Sequence, residues 1–223
     1  MVATDWERVL ETQRLIQAHF PECVLVGGTA AALPVHHRVL FDVNSVLIDL
    51  RRRFDDVLAR LQDLAGWDTA RIRPPVLILG HFAGVDVGIR QLRRAAPLET
   101  TTISGIVVPT HAEMARIKGW LVVTRNALRD YLDFAALAAG LGADFLGAMR
   151  PLDDLYPQPP RGETTRRQLM KQLAEPRPYD FDPEREGHTL HAWRALTPPW
   201  TDWDYTLEFC RRLADQMMTD ALA

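Results

Sequence analysis

Apolar positions follow two rhythms along this chain. Over the first half, short alternating or unbroken apolar runs are cut by Gly and Pro; over the second half, apolar residues recur at helical spacing. Thr4-x-x-Glu7 has the spacing of a capping box and predicts a helix that ends before Pro21. Residues 23–26 read as a short strand that stops at Gly27-Gly28. Residues 29–33 read as a short helix broken at Pro34, and residues 39–43 as a second strand. From Asp49, the residues Leu50, Phe54, Val57, Leu58, Leu61 and Leu64 share one helix face, and Gly66 ends it. Residues 67–73, 76–79, 85–92 and 106–108 have the alternation and the Pro and Gly breaks of strands.

After Pro109 the pattern is helical. Thr110-x-x-Glu113 repeats the capping-box spacing and predicts a helix to about Thr124, followed by another over 127–139. Residues 151–200 are rich in Pro (Pro157, Pro159, Pro160, Pro176, Pro178, Pro183, Pro198 and Pro199) and read as loops around one helix at 165–173. An amphipathic helix from about Asp202 closes the chain. The expected fold class is α+β: a core over 1–109 with a mixed sheet and helices, and a helical portion over 110–223 packed on it, with Pro-rich loops at 151–200.

Composition narrows the function classes. The 223 residues are 47% hydrophobic and 25% charged, an ordinary globular balance with ample material for a core. A net charge of -3 gives no general attraction to nucleic acid, so any such contact needs a local patch. The two cysteines, Cys23 and Cys210, make neither a disulfide framework nor a zinc site. The N-terminus lacks the basic and apolar regions of a signal peptide, and no run reads as the ~20 apolar residues of a membrane span. These features lead to an expectation of a cytoplasmic protein with no membrane contact.

Four segments carry candidate chemistry. Gly27-Gly28-Thr29 joins a strand to a helix; glycines let backbone N–H groups approach a phosphate, and a helix start favours negative charge, although such a turn is also a common plain connection. Asp42 and Asn44 alternate on a strand and project together, as two oxygen ligands for Mg²⁺ against a triphosphate, or as turn-forming residues at a strand end. Asp86 lies in an apolar strand, either as an acid on an outer face or as a third group that helps activate an attacking hydroxyl. Lys118, Arg129, Asp130 and Asp133 lie on the two helices after Pro109, where solvated pairs such as Arg129 with Asp133 are the plain alternative. The runs Arg51-Arg52-Arg53 and Arg90, Arg93 and Arg94 are solvated faces or RNA contacts. His36 and His37 are adjacent, so their side chains diverge and do not suit one metal.

In this order the segments resemble the AbiEii/AbiGii-type nucleotidyltransferase toxin family, within the polymerase-β-like nucleotidyltransferase superfamily. The residues that carry the resemblance are Gly27-Gly28-Thr29-Ala30, His37-Arg38, Asp42-Val43-Asn44, Asp86, Lys118 and Arg129-Asp130-Tyr131-Leu132-Asp133. It covers roughly residues 22–140. The tail, with Tyr156-Pro157-Gln158-Pro159 and Pro198-Pro199-Trp200-Thr201-Asp202-Trp203, looks like small actinobacterial-type members. The resemblance implies a nucleotidyltransferase fold and transfer of a nucleotide from an NTP to an acceptor such as a tRNA 3′ end. The transfer would use Mg²⁺, or Mn²⁺ in its place, and an antitoxin protein would counteract it. It further implies that Gly27, Gly28, Thr29, Lys118, Arg129 and Asp130 bind the nucleotide, and that Asp42, Asn44 and Asp86 hold the metal. Asp42, Asp86, Lys118 and Asp133 would be catalytic, Asp86 as metal ligand or proton acceptor and Asp133 as the group that positions Lys118 or a metal.

One departure stands out. Asn44 occupies the position of the second acid of Asp-x-Asp; it offers a carbonyl oxygen but no charge. Weak metal binding without NTP is expected. Two rivals follow: a degenerate member that binds a nucleotide or partner without chemistry, and a transferase whose acceptor is a small molecule or a protein.

Overall fold

A computed structural model describes residues 2–158, 162–190 and 195–222; the Pro159-Pro160 part of the Pro-rich stretch lies outside them. The described elements, in order, are α1 (Val2–His19), β1 (Val24–Val26), α2 (Gly27–Val35), β2 (Asp42–Leu47), α3 (Leu50–Gln62), β3 (Asp68–Arg73), β4 (Leu77–Phe82), β5 (Val85–Gln91), β6 (Thr100–Ile103) and β7 (Ile106–Pro109). Helices α4 (His111–Arg125), α5 (Leu128–Leu141), α6 (Phe145–Met149), α7 (Leu152–Leu155), α8 (Thr165–Ala174), α9 (Pro183–Glu186) and α10 (Trp203–Leu222) follow. The chain divides into two compact units, Met1–Leu33 with Val39–Thr110, and Pro34–Arg38 with His111–Ala223.

The first unit is built on a five-stranded mixed sheet of order β1-β2-β5-β4-β3, with β6 and β7 as a separate hairpin. Strands β2 and β5 are parallel; the other neighbours in the large sheet are antiparallel. Two-residue turns close the β4–β5 and β6–β7 hairpins. Ala83-Gly84 and Ser104-Gly105 both hold positive φ at each residue, the backbone that matches strand twist in so tight a turn. Ile16, Phe20, Leu25, Val43, Leu47, Leu50, Leu61, Ile78 and Ile89 form the dry core. Each fully buried side chain of this size contributes about 1.5–3 kcal/mol. Gln17 ties α1 to the strands: its amide donates to the carbonyls of Cys23 and Val107 at 2.8 Å, and its oxygen accepts from the Val107 N–H at 2.9 Å.

Several sequence expectations shift. The second strand runs over Asp42–Leu47, not 39–43, because Val43, Ser45 and Leu47 are the residues that alternate into the core. Helix α1 starts at Val2, so Thr4 lies inside it rather than capping it. Pro34 sits in the last turn of α2 instead of ending the helix before it. Strand β6 has no counterpart among the expected strands; Thr100-Thr101-Thr102 is polar, and its pairing with β7 supplies the order.

The second unit is helical. Tyr131, Leu132, Phe134, Phe145, Met149, Leu169, Trp203, Cys210 and Met217 fill its core. At Gly119 on α4 a Cβ would stand 3.0–3.2 Å from Leu169, Met149 and Phe134, so a side chain there would crowd all three. Thr164 caps α8 by accepting from the Arg167 N–H. The stretch Leu128–Met149 is long and apolar enough to cross a membrane by length and composition, which corrects the expectation that no run is. Most of that stretch is buried inside the fold, and it carries the buried acids Asp130 and Asp133.

Candidate active site

The first unit gathers its polar candidates on one face of the sheet. Strands β2 and β5 align Asp42 with Asp86, Asn44 with Gly88 and Val46 with Arg90. Alternation sends Val43, Ser45, Leu47, Val85, Val87 and Ile89 into the core, so these three pairs share the other face. Strand β4 extends the rows, placing His81 beside Asp86 and Leu79 beside Gly88. The closing turn of two residues sets that register and fixes which residue meets Asp86.

The two acids are therefore cross-strand neighbours, about 4.8 Å apart at the backbone. Like charges so placed repel, and a cation between them relieves the repulsion. The side chains around them already soften it. His81 Nδ1 lies 2.6 Å from Asp86 Oδ1. Asn44 Nδ2 donates to Asp42 Oδ2 at 2.6 Å, and Asn44 Oδ1 accepts from Arg90 Nε at 3.2 Å. A guanidinium only donates, so Arg90 fixes the orientation of the Asn44 amide: NH₂ toward Asp42, oxygen away. Asn44 thus holds Asp42 rather than presenting its oxygen beside it. Gly88 makes this packing feasible, since a Cβ there would lie 2.8 Å from Asn44 Oδ1.

The Gly turn lies beside these groups. Gly27 adopts φ +82°, a conformation that side chains rarely take, and a Cβ there would come within 3.5 Å of Asn44 Cβ. Thr29 is buried, and its hydroxyl donates to the Asp42 carbonyl at 2.7 Å. Its one proton is committed, so Thr29 fastens the start of α2 to the strand that carries Asp42. Among the described residues no cluster of three or more His, Cys, Asp or Glu forms a metal cage. Two carboxylates with an open side fit Mg²⁺ in its usual manner, which keeps waters and takes further oxygens from substrate phosphates.

The second unit holds the other candidates in a buried ion network. Asp133 Oδ1 accepts from Arg38 Nε and from His37 Nε2, both at 2.7 Å. Its Oδ2 accepts from Arg38 Nη2 at 2.7 Å and Lys118 Nζ at 2.6 Å. A carboxylate only accepts here, so His37 carries its proton on Nε2. Asp130 is held by Arg125 through Nε at 3.0 Å and Nη2 at 2.5 Å, and lies 3.8 Å from Lys118 Nζ. Burial alone would raise the Asp133 pKa; Lys118, then Arg38 and His37, overcome it and hold the carboxyl well below its ordinary value. Two carboxylates face three basic side chains, Arg38, Lys118 and Arg125. Arg129 is not among the partners of Asp133, contrary to the helical-spacing alternative; its Nε is buried with no hydrogen-bond partner among the described residues.

Sequence reasoning misses His81, the Asn44-to-Arg90 contact and the pairing of His37 and Arg38 with Asp133. The first follows from the Ala83-Gly84 turn. The last joins residues about 95 positions apart, for which local patterns hold no signal.

No known protein-family profile matches the chain. It is 30% identical over 136 residues to the heme uptake protein MmpL11 of Mycobacterium tuberculosis and 28% identical over 138 residues to the mycolic acid-containing lipids exporter MmpL11 of Mycolicibacterium smegmatis. Each match covers 58% of this chain, which spans only 13% and 14% of those relatives' lengths. Among solved structures the fold is similar to JHP933 from Helicobacter pylori, with a TM-score of 0.55 and 14% identity over 96% of this chain and 93% of that one. It is also similar to a provisionally assigned nucleotidyltransferase from H. pylori, with a TM-score of 0.50 and 15% identity over 96% of both chains. The chain has an α+β, nucleotidyltransferase-like fold: a five-stranded mixed sheet with helices, and a helical second half.

Proposed function

We propose that the chain transfers a nucleotide from an NTP to a hydroxyl of an RNA acceptor, with a tRNA 3′ end as the first candidate. The observation that carries this reading is the pair Asp42 and Asp86, in register on adjacent parallel strands with the Gly27-Gly28 turn beside Asn44. Asp42 and Asp86 would hold Mg²⁺ or Mn²⁺, which when bound neutralises charge on the triphosphate. Gly27 and Gly28 let backbone N–H groups approach phosphate oxygens. Asp86 has Oδ1 engaged by His81, so its Oδ2 either joins Asp42 on the metal or takes the proton of the acceptor hydroxyl. The acceptor oxygen then bonds to the α-phosphorus, the bond to the β-phosphate breaks, and pyrophosphate leaves with the electron pair.

Lys118 and Asp133 enter through the AbiEii/AbiGii resemblance, Lys118 to offset nucleotide charge and Asp133 to position it; the 2.6 Å contact between them supports the positioning role. The same resemblance supplies the toxin reading and an antitoxin partner. Transport and heme uptake are said of the MmpL11 proteins, and none of it is carried to this chain.

The test is label transfer from each of the four α-labelled NTPs to tRNA with Mg²⁺. Label on RNA supports the reading, and no label with any NTP ends it. A second reading, a nucleotide-binding or partner-binding protein without turnover, is favoured by the Asn44 amide turned with its NH₂ to Asp42. Asn44→Asp separates the two: activity created by the change supports the binding protein, and activity already present in wild type rejects it.

A further inference from the structure

Strand β3 is the edge of the large sheet, and all of its residues but the half-buried Thr69 are exposed. Its pairing with β4 slips between Thr69 and Arg71: Thr69 pairs with Gly80, yet Arg71 pairs with Leu79. Ala70 is the extra residue of a β-bulge. The slip changes which face every later side chain takes. In an unbroken register Arg71 would oppose Ile78 and share the core face. With the bulge, Arg71 joins the row of Leu79, Gly88 and Asn44, and Arg73 joins the row of Leu77, Arg90 and Val46. The bulge therefore turns two arginines onto the face that carries Asp42 and Asp86.

Charge is segregated on that face. The acids Asp42, Asp86 and Asp68 share one row with His81. The next two rows contain no acid and present Arg71, Arg73 and Arg90. Arg71 and Arg73 are exposed and make no ion pair among the described residues. Successive rows are about 6.8 Å apart along the strands. Past Arg73, the Pro74-Pro75 turn lines one side of a cleft of about 330 Å³, and Arg51 and Arg52 line another together with Asp55 and Asp56. An unpaired arginine side chain with a planar fork of donors is suited to phosphate oxygens. Two of them at strand spacing, leading away from an acidic row, suit an extended polyanion whose end lies at that row.

We infer that Arg71 and Arg73 form a phosphate-binding strip for a single-stranded nucleic acid, the acceptor strand of the proposed transfer. The inference rests on the transferase reading for its function, but not for its binding test. An acidic polypeptide is the competing polyanion. Arginine pairs with its carboxylates as well, so nucleic acid is favoured here by the transferase reading.

The experiment is fluorescence anisotropy of a labelled, unstructured RNA oligonucleotide titrated with the full chain, between 50 and 200 mM salt, without NTP or metal. Wild type should bind with a steep salt dependence. Arg71→Ala with Arg73→Ala should lower the slope of log affinity against log salt by about 1.4, roughly 0.7 for each phosphate of a single strand that the protein no longer neutralises. Arg71→Lys with Arg73→Lys should keep most of the slope, and a charge-matched pair on the helical unit, Arg167→Ala with Arg211→Ala, should leave it unchanged. Equal slopes for the two alanine pairs would overturn the strip, as would tighter binding of polyglutamate than of RNA. Label transfer by wild type with an unchanged RNA KM in the Arg71/Arg73 variant would sink the strip and leave the transferase reading standing.

Discussion

The two units handle charge in opposite ways. On the sheet face, Asp42 and Asp86 stand side by side with a water-exposed side and only partial compensation from Asn44 and His81. In the helical unit, Asp133 is fully buried and every lone pair that faces the protein is met by Lys118, Arg38 or His37. The difference shows what each arrangement is fit for. An exposed pair of like charges is poorly satisfied alone and suits a cation that arrives with a ligand. A buried carboxylate survives only if saturated, so its removal harms the fold first.

The largest effect is expected at Asp133. Asp133→Ala leaves Arg38, Lys118 and His37 buried without their anion. It should cost about 3–5 kcal/mol, read in a denaturant titration, and lower the melting midpoint by about 10 °C. A cost under about 1 kcal/mol would mean that the network is open to water. Thr29→Val should cost less, about 1–2 kcal/mol, because the Asp42 carbonyl loses its hydroxyl donor; the same melts check it.

The pH dependence separates the units further. The folded pKa of Asp133 is depressed, so its stabilisation is present above the ordinary carboxylate value of 3.8 and disappears as pH falls through the lower folded value. The gap in melting midpoint between wild type and Asp133→Asn should stay constant from neutral pH down to about pH 4 and narrow only below it. A gap that already closes well above pH 4 would contradict this assignment to Asp133. The smallest effect is expected at Gly88→Ala. Its Cβ would push on two side-chain ends, Asn44 Oδ1 at 2.8 Å and Leu79 Cδ2 at 3.1 Å, so the cost to stability should be about 1 kcal/mol. Label transfer should change more than stability does, since the amide that holds Asp42 moves.

Much of this is legible in the sequence, for definite reasons. Leu50, Phe54, Val57 and Leu61 announce α3 because a single buried stripe recurs at helical period. Asp42 and Asn44 fall on one strand face even when the strand is placed three residues early, because alternation survives a boundary error. The bulge at Ala70 is not legible: nothing in Thr69-Ala70-Arg71 marks an extra residue, so the facing of Arg71 and Arg73 comes only with the β4 register. The partners of Asp133 are hidden likewise. Arg129 is four residues away on the same helix and suggests itself as the partner, while Arg38 and Lys118 reach Asp133 through tertiary packing.

In the proposed transfer Asp42 and Asp86 react and do not hold the fold. One paired measurement tests it: label transfer and melting midpoint for wild type, Asp42→Asn and Asp86→Asn, side by side. Each change should cut transfer by about 10³-fold or more, while the midpoint stays within about 2 °C of wild type or rises as the repulsion is relieved. Retained transfer in both variants, or a fall in midpoint as large as that of Asp133→Ala, would contradict it.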